Sequence, residues 1–190
     1  LNSIYKHYSI SSLPEITLEA NPDDLTKEKI QILKEVGINR VSLGIQSFDD
    51  TILKFLNRAH NSEEALICTL HLREAGIHNL SIDLIHSIPD QDDLEQVIKL
   101  APQHISVYAL TIEDKTVFGK WASRGKIKAV EESQSANQFE MVMDTLTESG
   151  YQHYEISNFC LPGFASIHNS SYWQQKKYLG VGPSAHSFDG

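Results

Sequence analysis

The chain has 190 residues, of which 41% are hydrophobic, enough apolar content for one sizeable core. Acidic residues outnumber basic ones by 25 to 16, which gives a formal net charge of -9. This balance argues against a nucleic-acid-binding or anionic-membrane surface, because phosphates are bound mainly by Lys and Arg. We expect no transmembrane segment, since no run of 18 apolar residues occurs, and no signal peptide is visible.

The two cysteines are Cys68 and Cys160, and they form no CxxC pattern. The sequence therefore implies no disulfide framework. Two reduced thiols are typical of a protein in a reducing compartment, so we expect a cytoplasmic location.

Four apolar segments alternate with helical patterns in the first 112 residues, and they predict strands over 15–22, 40–48, 79–89 and 104–111. Thr26 is a suitable cap for the first helix, and Asn61 with Glu64 forms a capping-box pattern at a later one. Alternation at this spacing implies right-handed βαβ units and a parallel sheet. An open doubly wound sheet and a segment of a βα barrel both fit, and both place binding residues beyond the carboxyl ends of the strands.

The pattern changes after residue 112, so we divide the chain into a barrel segment, 1–112, and an elaboration, 113–190. Residues 115–128 are polar and predict an irregular excursion. A helix is predicted over 131–148 and one shorter strand over 151–159. The remaining tail is rich in Gly, Ser, His and aromatic residues.

Four polar residues recur at or near the predicted strand ends or just beyond them: Glu19, Gln46, Arg58 and Asp83. Asp83 is the most informative, because its segment is apolar enough to predict burial on both faces. A buried carboxylate needs partners. Two readings stay open for it, a structural hydrogen bond or ion pair, for example with Arg58, and a ligand contact.

Nine histidines raise the question of a metal site, but no HExxH or His-x-His pair occurs and no acidic cluster has ligand spacing. We expect structural or solvated roles for most of them. His168 and His186 are better candidates for binding, because each lies in a segment crowded with small and aromatic residues, predicted to be a loop.

Several motifs taken together resemble one family. They are Glu-Ala-Asn-Pro (19–22), Gly-Ile-Asn-Arg-Val-Ser-Leu-Gly-Ile-Gln-Ser-Phe (37–48), Leu-Asn-Arg-Ala-His (56–60), Asp-Leu-Ile (83–85), His-Ile-Ser-Val-Tyr-Ala-Leu-Thr-Ile-Glu (104–113), Tyr-Glu-Ile-Ser-Asn-Phe (154–159) and His-Asn-x-x-Tyr-Trp (168–173). The chain is similar to radical S-adenosylmethionine proteins related to oxygen-independent coproporphyrinogen III oxidase, and the last two motifs indicate the haem chaperone branch.

The resemblance implies an α/β fold, a partial (β/α)6 barrel in which this chain supplies strands three to six, followed by an α+β elaboration. It implies that Glu19, Gln46, Arg58 and Asp83 bind S-adenosylmethionine, and that His168 contacts haem. Haem or porphyrin binding is the implied function. Oxidative decarboxylation of coproporphyrinogen III propionates is the alternative, and an unrelated βα-barrel enzyme is a third reading.

Two departures from the family pattern limit these expectations. The CxxxCxxC motif that binds the family's 4Fe-4S cluster is absent, as is a glycine-rich segment. We therefore expect a fragment that is inactive alone, with a free sheet edge that favours a homodimer. Ser87 and Asp90 also stand where the family usually has glycine, which puts the local approach of the backbone to a ligand in question.

Overall fold

A computed structural model describes residues 1–88, 93–125 and 130–190. Within these ranges the chain forms one six-stranded sheet in the order β1-β2-β3-β4-β6-β5. The strands are β1 Thr17–Ala20, β2 Arg40–Gln46, β3 Asn79–His86, β4 His104–Ala109, β5 Gln152–Glu155 and β6 Asn158–Cys160. The first four strands pair in parallel, which confirms the sequence-based expectation, and β6 runs antiparallel to β4 and β5.

Besides a short 3₁₀-helix over Pro22–Asp24, eight α-helices accompany the sheet in the described ranges. They are α1 Asn2–His7, α2 Lys27–Glu35, α3 Asp50–Phe55, α4 Ser62–Glu74, α5 Leu94–Leu100, α6 Val117–Ser123, α7 Glu132–Glu148 and α8 Ile167–Trp173. Thr26 accepts a hydrogen bond from the backbone of Lys29, and Asn61 and Glu64 form the complete capping box. Both predicted caps are confirmed. No helix in these ranges has the length and apolar character needed to cross a membrane.

The two faces of the sheet differ in chemistry because side chains alternate along each strand. The outer face carries the apolar core, in which Val41, Leu43, Leu80, Ile82, Ile105 and Phe159 have no exposed surface and pack with residues of α4 and α7. Each such burial contributes about 1.5–3 kcal/mol. The inner face is polar instead, with Thr17, Glu19, Arg40, Ser42, Ser81, Asp83, His104 and Ser106. An apolar outer face and a polar inner face fit the predicted segment of a barrel.

Residues 113–190 depart from the predictions in three places. Thr116 accepts a hydrogen bond from Gly119 and starts helix α6 inside the segment predicted to be irregular. The single strand predicted over 151–159 is a hairpin, because Glu155 accepts from Ser157 and Asn158 at a turn between β5 and β6. The segment around His168, predicted to be a loop, is helix α8, which Ser166 caps.

The third predicted strand ends earlier than expected. β3 stops at His86, and Ser87 has a φ of 66°, in the left-handed region that glycine adopts most easily. This backbone conformation explains why the related proteins usually have glycine at the position that Ser87 occupies here. Asp90, the other departure from the family pattern, lies outside the described residues.

Candidate functional site

Four residues meet at the carboxyl ends of β1 and β2. Arg58 donates through Nη2 to Oδ1 of Asn21, which directly follows β1, and to the carbonyl oxygen of Gly44 in β2 at 3.2 Å. A Cβ atom on Gly44 would lie 2.8 Å from Nε2 of Gln46, 3.3 Å from Oδ1 of Asn21 and 3.5 Å from Nη2 of Arg58. Glycine therefore leaves a small space surrounded by three polar groups, which we call the rim cluster (Asn21, Gly44, Gln46 and Arg58).

The backbone of the rim cluster is also unusual. Gln46 has a φ of 72°, and the pairing of β2 with β3 shifts register between Leu43 and Gln46. Left-handed backbone at a residue other than glycine costs about 1–2 kcal/mol, and such conformations cluster at binding sites. The irregularity turns the end of β2 and gives Gln46 its place beside Gly44.

Asp83 lies on the inner face of β3, approximately level with Gly44, since Leu43 pairs with Ile82. Oγ of Ser42 donates to both of its carboxylate oxygens, at 3.0 and 3.1 Å, and Oγ of Ser81 lies 3.4 Å from Oδ1. Asp83 is half-buried, and every other residue of β3 is buried or half-buried. The suggested pair with Arg58 is not the contact that Asp83 makes.

Burial raises the pKa of the Asp83 carboxyl, and the negative charge of Glu19 acts in the same direction. The hydroxyl groups of Ser42 and Ser106 and the positive charge of Arg40 oppose the shift. Glu19 is exposed on β1 and pairs in register with Ser42. The two carboxylates therefore lie on the same face of the sheet, on the two strands that flank β2, where a ligand with hydrogen-bond donors or positive charge is favoured.

Below Asp83, toward the amino ends of the strands, buried side chains form a hydrogen-bonded chain. Nδ1 of His104 lies 2.8 Å from Oγ of Ser81, and its Nε2 lies 2.8 Å from the hydroxyl of Tyr154. Burial and the nearby Arg40 charge lower the pKa of His104 to about 3, so its imidazole is neutral at physiological pH. This chain joins β3 and β4 to the β5–β6 hairpin.

His168 lies away from the other four predicted site residues. The backbone nitrogens of Ile167 and His168 donate to the carboxylate of Glu15, which precedes β1, so α8 lies at the amino end of the sheet. The His168 side chain is exposed, and its ring contacts Tyr172 edge-on at 4.8 Å. The structure therefore brings Glu19, Gln46, Arg58 and Asp83 to one region and His168 to the opposite end of the strands.

The remaining sequence expectations concern histidines and thiols. His60 is buried, contacts the Ile45 carbonyl at 3.0 Å and lies 3.4 Å from Asp23, as a structural histidine would. His186, the other candidate, is exposed. Cys68 and Cys160 are free and buried, and the described ranges contain no group of three or more His, Cys, Asp or Glu side chains suited to a metal ion.

Sequence reasoning predicted Gln46, Arg58 and Asp83 as site residues but did not predict the side chains that contact Arg58 and Asp83. Asn21 and Ser42 are partners of Arg58 and Asp83. The alternation of β2 contained a signal for Ser42, which shares a face with Gly44 and Gln46. Nothing in the local sequence indicated the contact of Asn21 with Arg58, because 37 residues separate the two.

A parallel βα sheet with an apolar outer face, a polar inner face and a polar cluster at its carboxyl ends is the architecture of a βα-barrel protein. The family model described as "Radical SAM superfamily" matches residues 2–101. The chain belongs to the Radical SAM superfamily.

Curated relatives cover almost the whole chain. The heme chaperone HemW of Lactococcus lactis subsp. lactis (strain IL1403) is 39% identical over 99% of this chain and 51% of its own length. HemW of Escherichia coli (strain K12) is 36% identical over 98% of this chain and 50% of its own length. The mitochondrial Radical S-adenosyl methionine domain-containing protein 1 of Bos taurus is 34% identical over 90% and 40%. The chain spans about half the length of the curated relatives it matches.

Solved structures confirm the fold. Coproporphyrinogen III oxidase (HemN) from Escherichia coli, described as a Radical SAM enzyme, superposes with a TM-score of 0.78 over 98% of this chain and 47% of its own, at 24% identity. The archaeal Methanocaldococcus infernus Elp3 gives a TM-score of 0.59 over 70% of this chain and 32% of its own, at 22% identity. At these identities the likeness establishes the α/β architecture alone.

Proposed function

We propose that this chain is the part of a haem chaperone that binds S-adenosylmethionine at the rim of the sheet and haem at helix α8. The proposal of S-adenosylmethionine binding rests on one observation: the rim cluster (Asn21, Gly44, Gln46 and Arg58) surrounds one small space beside Asp83. The proposal of haem binding is supported by the relatives named heme chaperone, which are 36–39% identical over nearly the whole chain.

The rim cluster suits S-adenosylmethionine chemically. Arg58 uses one nitrogen for Asn21 and Gly44, so its other guanidinium donors are available to a ligand carboxylate. Asp83 and Glu19 accept from an ammonium group or from ribose hydroxyls, and Gln46 both donates and accepts. Gly44 keeps the space between these groups open, because any larger side chain would occupy it.

The described residues do not suit the iron–sulfur cluster that the superfamily uses with S-adenosylmethionine. Cluster iron is held by thiolates, and Cys68 and Cys160 are both buried, with burial raising the pKa of each thiol. When bound, S-adenosylmethionine would supply a sulfonium group, whose carbon–sulfur bonds are its reactive part. The role of the residues described here is therefore to bind and orient the ligand.

Helix α8 has the features of a haem contact. His168 is exposed, and Tyr172 and Trp173 on the same helix are 46% and 61% exposed. Beside the helix lies a depression of about 390 Å³ lined in part by Leu13, Phe164 and Ile167. An accessible imidazole with aromatic neighbours can ligate the iron of haem and contact the porphyrin plane.

Calorimetric titration with S-adenosylmethionine tests the rim. Arg58→Lys keeps the charge but loses the planar fork, so we expect the affinity to fall by about tenfold or more. Arg124→Lys, at the exposed end of α6, is the matched control and should leave the affinity unchanged. Equal affinities for the two variants would refute the assignment of Arg58.

Absorption titration with ferric haem tests α8. Replacing His168 with Ala should remove the spectrum of imidazole-ligated iron at this helix, whereas His71→Ala, on α4 of the outer layer, should not. An unchanged Soret band in the His168 variant would reject that residue as the ligand. A protein that binds no haem in any form would refute the chaperone proposal as a whole.

A second candidate function is oxidative decarboxylation of coproporphyrinogen III. The shared fold with the Escherichia coli oxidase favours keeping it, although a fold hosts many activities. Product analysis with coproporphyrinogen III, S-adenosylmethionine, a reconstituted cluster and a reductant separates the two. Release of carbon dioxide would establish the oxidase, and unchanged coproporphyrinogen would favour the chaperone.

A further inference from the structure

A cleft of about 700 Å³ opens on the outer side of the sheet, between the carboxyl ends of β3 and β4 and helix α7. Its volume lies in the range of roughly 300–1,000 Å³ that is usual for small-molecule sites. The residues that define it include Phe55, His86, Ala109, Ile112, Ala136 and Phe139. Most of this lining is apolar, so the cleft favours a ligand with a large apolar surface.

The imidazole of His86 lies among these apolar residues, and its contacts fix its orientation. Nδ1 of His86 lies 3.0 Å from Oγ of Ser87, which in turn lies 2.5 Å from Oγ of Ser135 on α7. The ring stacks on Phe139 with centroids 5.6 Å apart and an interplanar angle of 22°. With Nδ1 engaged by Ser87, Nε2 is the nitrogen left to bind a ligand.

The left-handed backbone of Ser87 is part of this arrangement. A φ of 66° at a serine is strained, and strain of this kind persists where surrounding contacts fix it. The hydroxyl uses that conformation to reach both His86 and Ser135, a contact that glycine would not provide. The pair His86-Ser87 therefore couples the end of β3 to α7 around the imidazole.

Burial lowers the pKa of His86, so the imidazole is neutral at physiological pH. A neutral imidazole has a lone pair for a metal, whereas an imidazolium has none. Glu132 is the one charged side chain among the described residues that line the cleft. Carboxylates of a ligand would consequently point away from it, toward solvent.

The cleft is separate from the rim cluster and from α8. His86 is three residues beyond Asp83 on β3, so the two side chains lie on opposite faces of the sheet. The cleft is at the carboxyl ends of the strands, while His168 is at their amino ends. These three sites therefore have different walls and can be altered independently.

We propose that this cleft is a second haem site, in which Nε2 of His86 ligates the iron and the apolar walls enclose the porphyrin edge. The inference rests on the proposed function, since it takes haem to be a ligand of the protein. It adds a binding surface on the opposite side of the sheet from the rim, and it gives Ser87 the role of a positioning residue.

Ferric haem binding to the purified protein, followed by absorption and resonance Raman spectroscopy, tests this site. His86→Phe keeps an aromatic ring against Phe139 but cannot ligate iron. Ala136→Trp fills the cleft from an exposed helix position, with Glu140→Trp on the same helix as its control. We expect the first two variants to lose the affinity of this site by about tenfold or more and the control to retain it.

The outcomes separate this site from α8. Two equivalents of haem in the unaltered protein, reduced to one by His86→Phe and to one by His168→Ala, would support it. Unchanged binding in both the His86→Phe and Ala136→Trp variants would overturn it and leave the α8 site standing. Loss on Ala136→Trp but not on His86→Phe would refute His86 as the ligand. No binding in the unaltered protein would refute the proposed function and, with it, this site.

Discussion

Lowering the pH should destabilise this fold through His104. The imidazole has no exposed surface, and it lies 2.8 Å from both the Ser81 and Tyr154 hydroxyls. Its pKa in the folded chain is about 3, against 6.5 for an ordinary histidine, because of burial and the nearby charge of Arg40. Between pH 6.5 and about pH 3, His104 binds a proton in the unfolded chain but not in the folded chain. The stabilising contribution of the neutral imidazole is therefore complete above pH 6.5 and is lost as the pH falls toward 3.

The magnitude follows from about 1.36 kcal/mol for each unit of pKa difference. Between about pH 7.5 and pH 5 the His104 contribution falls by roughly 2 kcal/mol, and the full loss of roughly 5 kcal/mol is reached only below about pH 3. His86, whose pKa burial also lowers, acts in the same direction. Asp83, whose pKa burial raises, acts in the opposite direction, so the share of His104 has to be isolated with a variant.

Urea unfolding of the unaltered protein and of the His104→Gln variant isolates the part of the pH-dependent stability that is due to His104. The variant should be less stable at pH 7.5 by about 1–3 kcal/mol, because a buried hydrogen-bonding network is disturbed. It should lose less stability on acidification, so the difference between the two proteins narrows by roughly 2 kcal/mol at pH 5. Parallel stability curves across this range would refute the buried neutral imidazole.

Three further predictions concern the sheet and its rim. Asp83→Asn removes a carboxylate whose pKa is raised by burial, so the free energy of unfolding at pH 7.5 should not fall. Calorimetry should show about tenfold weaker S-adenosylmethionine binding by this variant. Unchanged affinity would show that Asp83 does not contribute to the site. Gly44→Ala places a Cβ 2.8 Å from Nε2 of Gln46 and should also weaken S-adenosylmethionine binding. An unaltered calorimetric titration would contradict the proposed binding role of the rim cluster. Strand β1 is an edge of the described sheet, so light scattering should detect a dimer; a clean monomer at high concentration would count against it.

The sequence predicted the repeating architecture well because its signals are local. Apolar alternation and caps at Thr26 and Asn61 lie within one element each, so the four parallel strands and their helices could be read in chain order. The proposed two-part division, 1–112 and 113–190, stays a prediction, although the β5–β6 hairpin joins the same sheet as the first four strands.

Local patterns in the sequence were enough to predict the α/β class, the superfamily resemblance and the polar residues near the strand ends. Tertiary structure alone decided what they contact, because Arg58 meets Asn21 across 37 residues and Ser42 meets Asp83 across 41. It also decided that His168 lies at the other end of the sheet and that His86 faces a separate cleft. Strand direction and the alternation of side chains fix these places, and both depend on how the strands assemble rather than on any one segment.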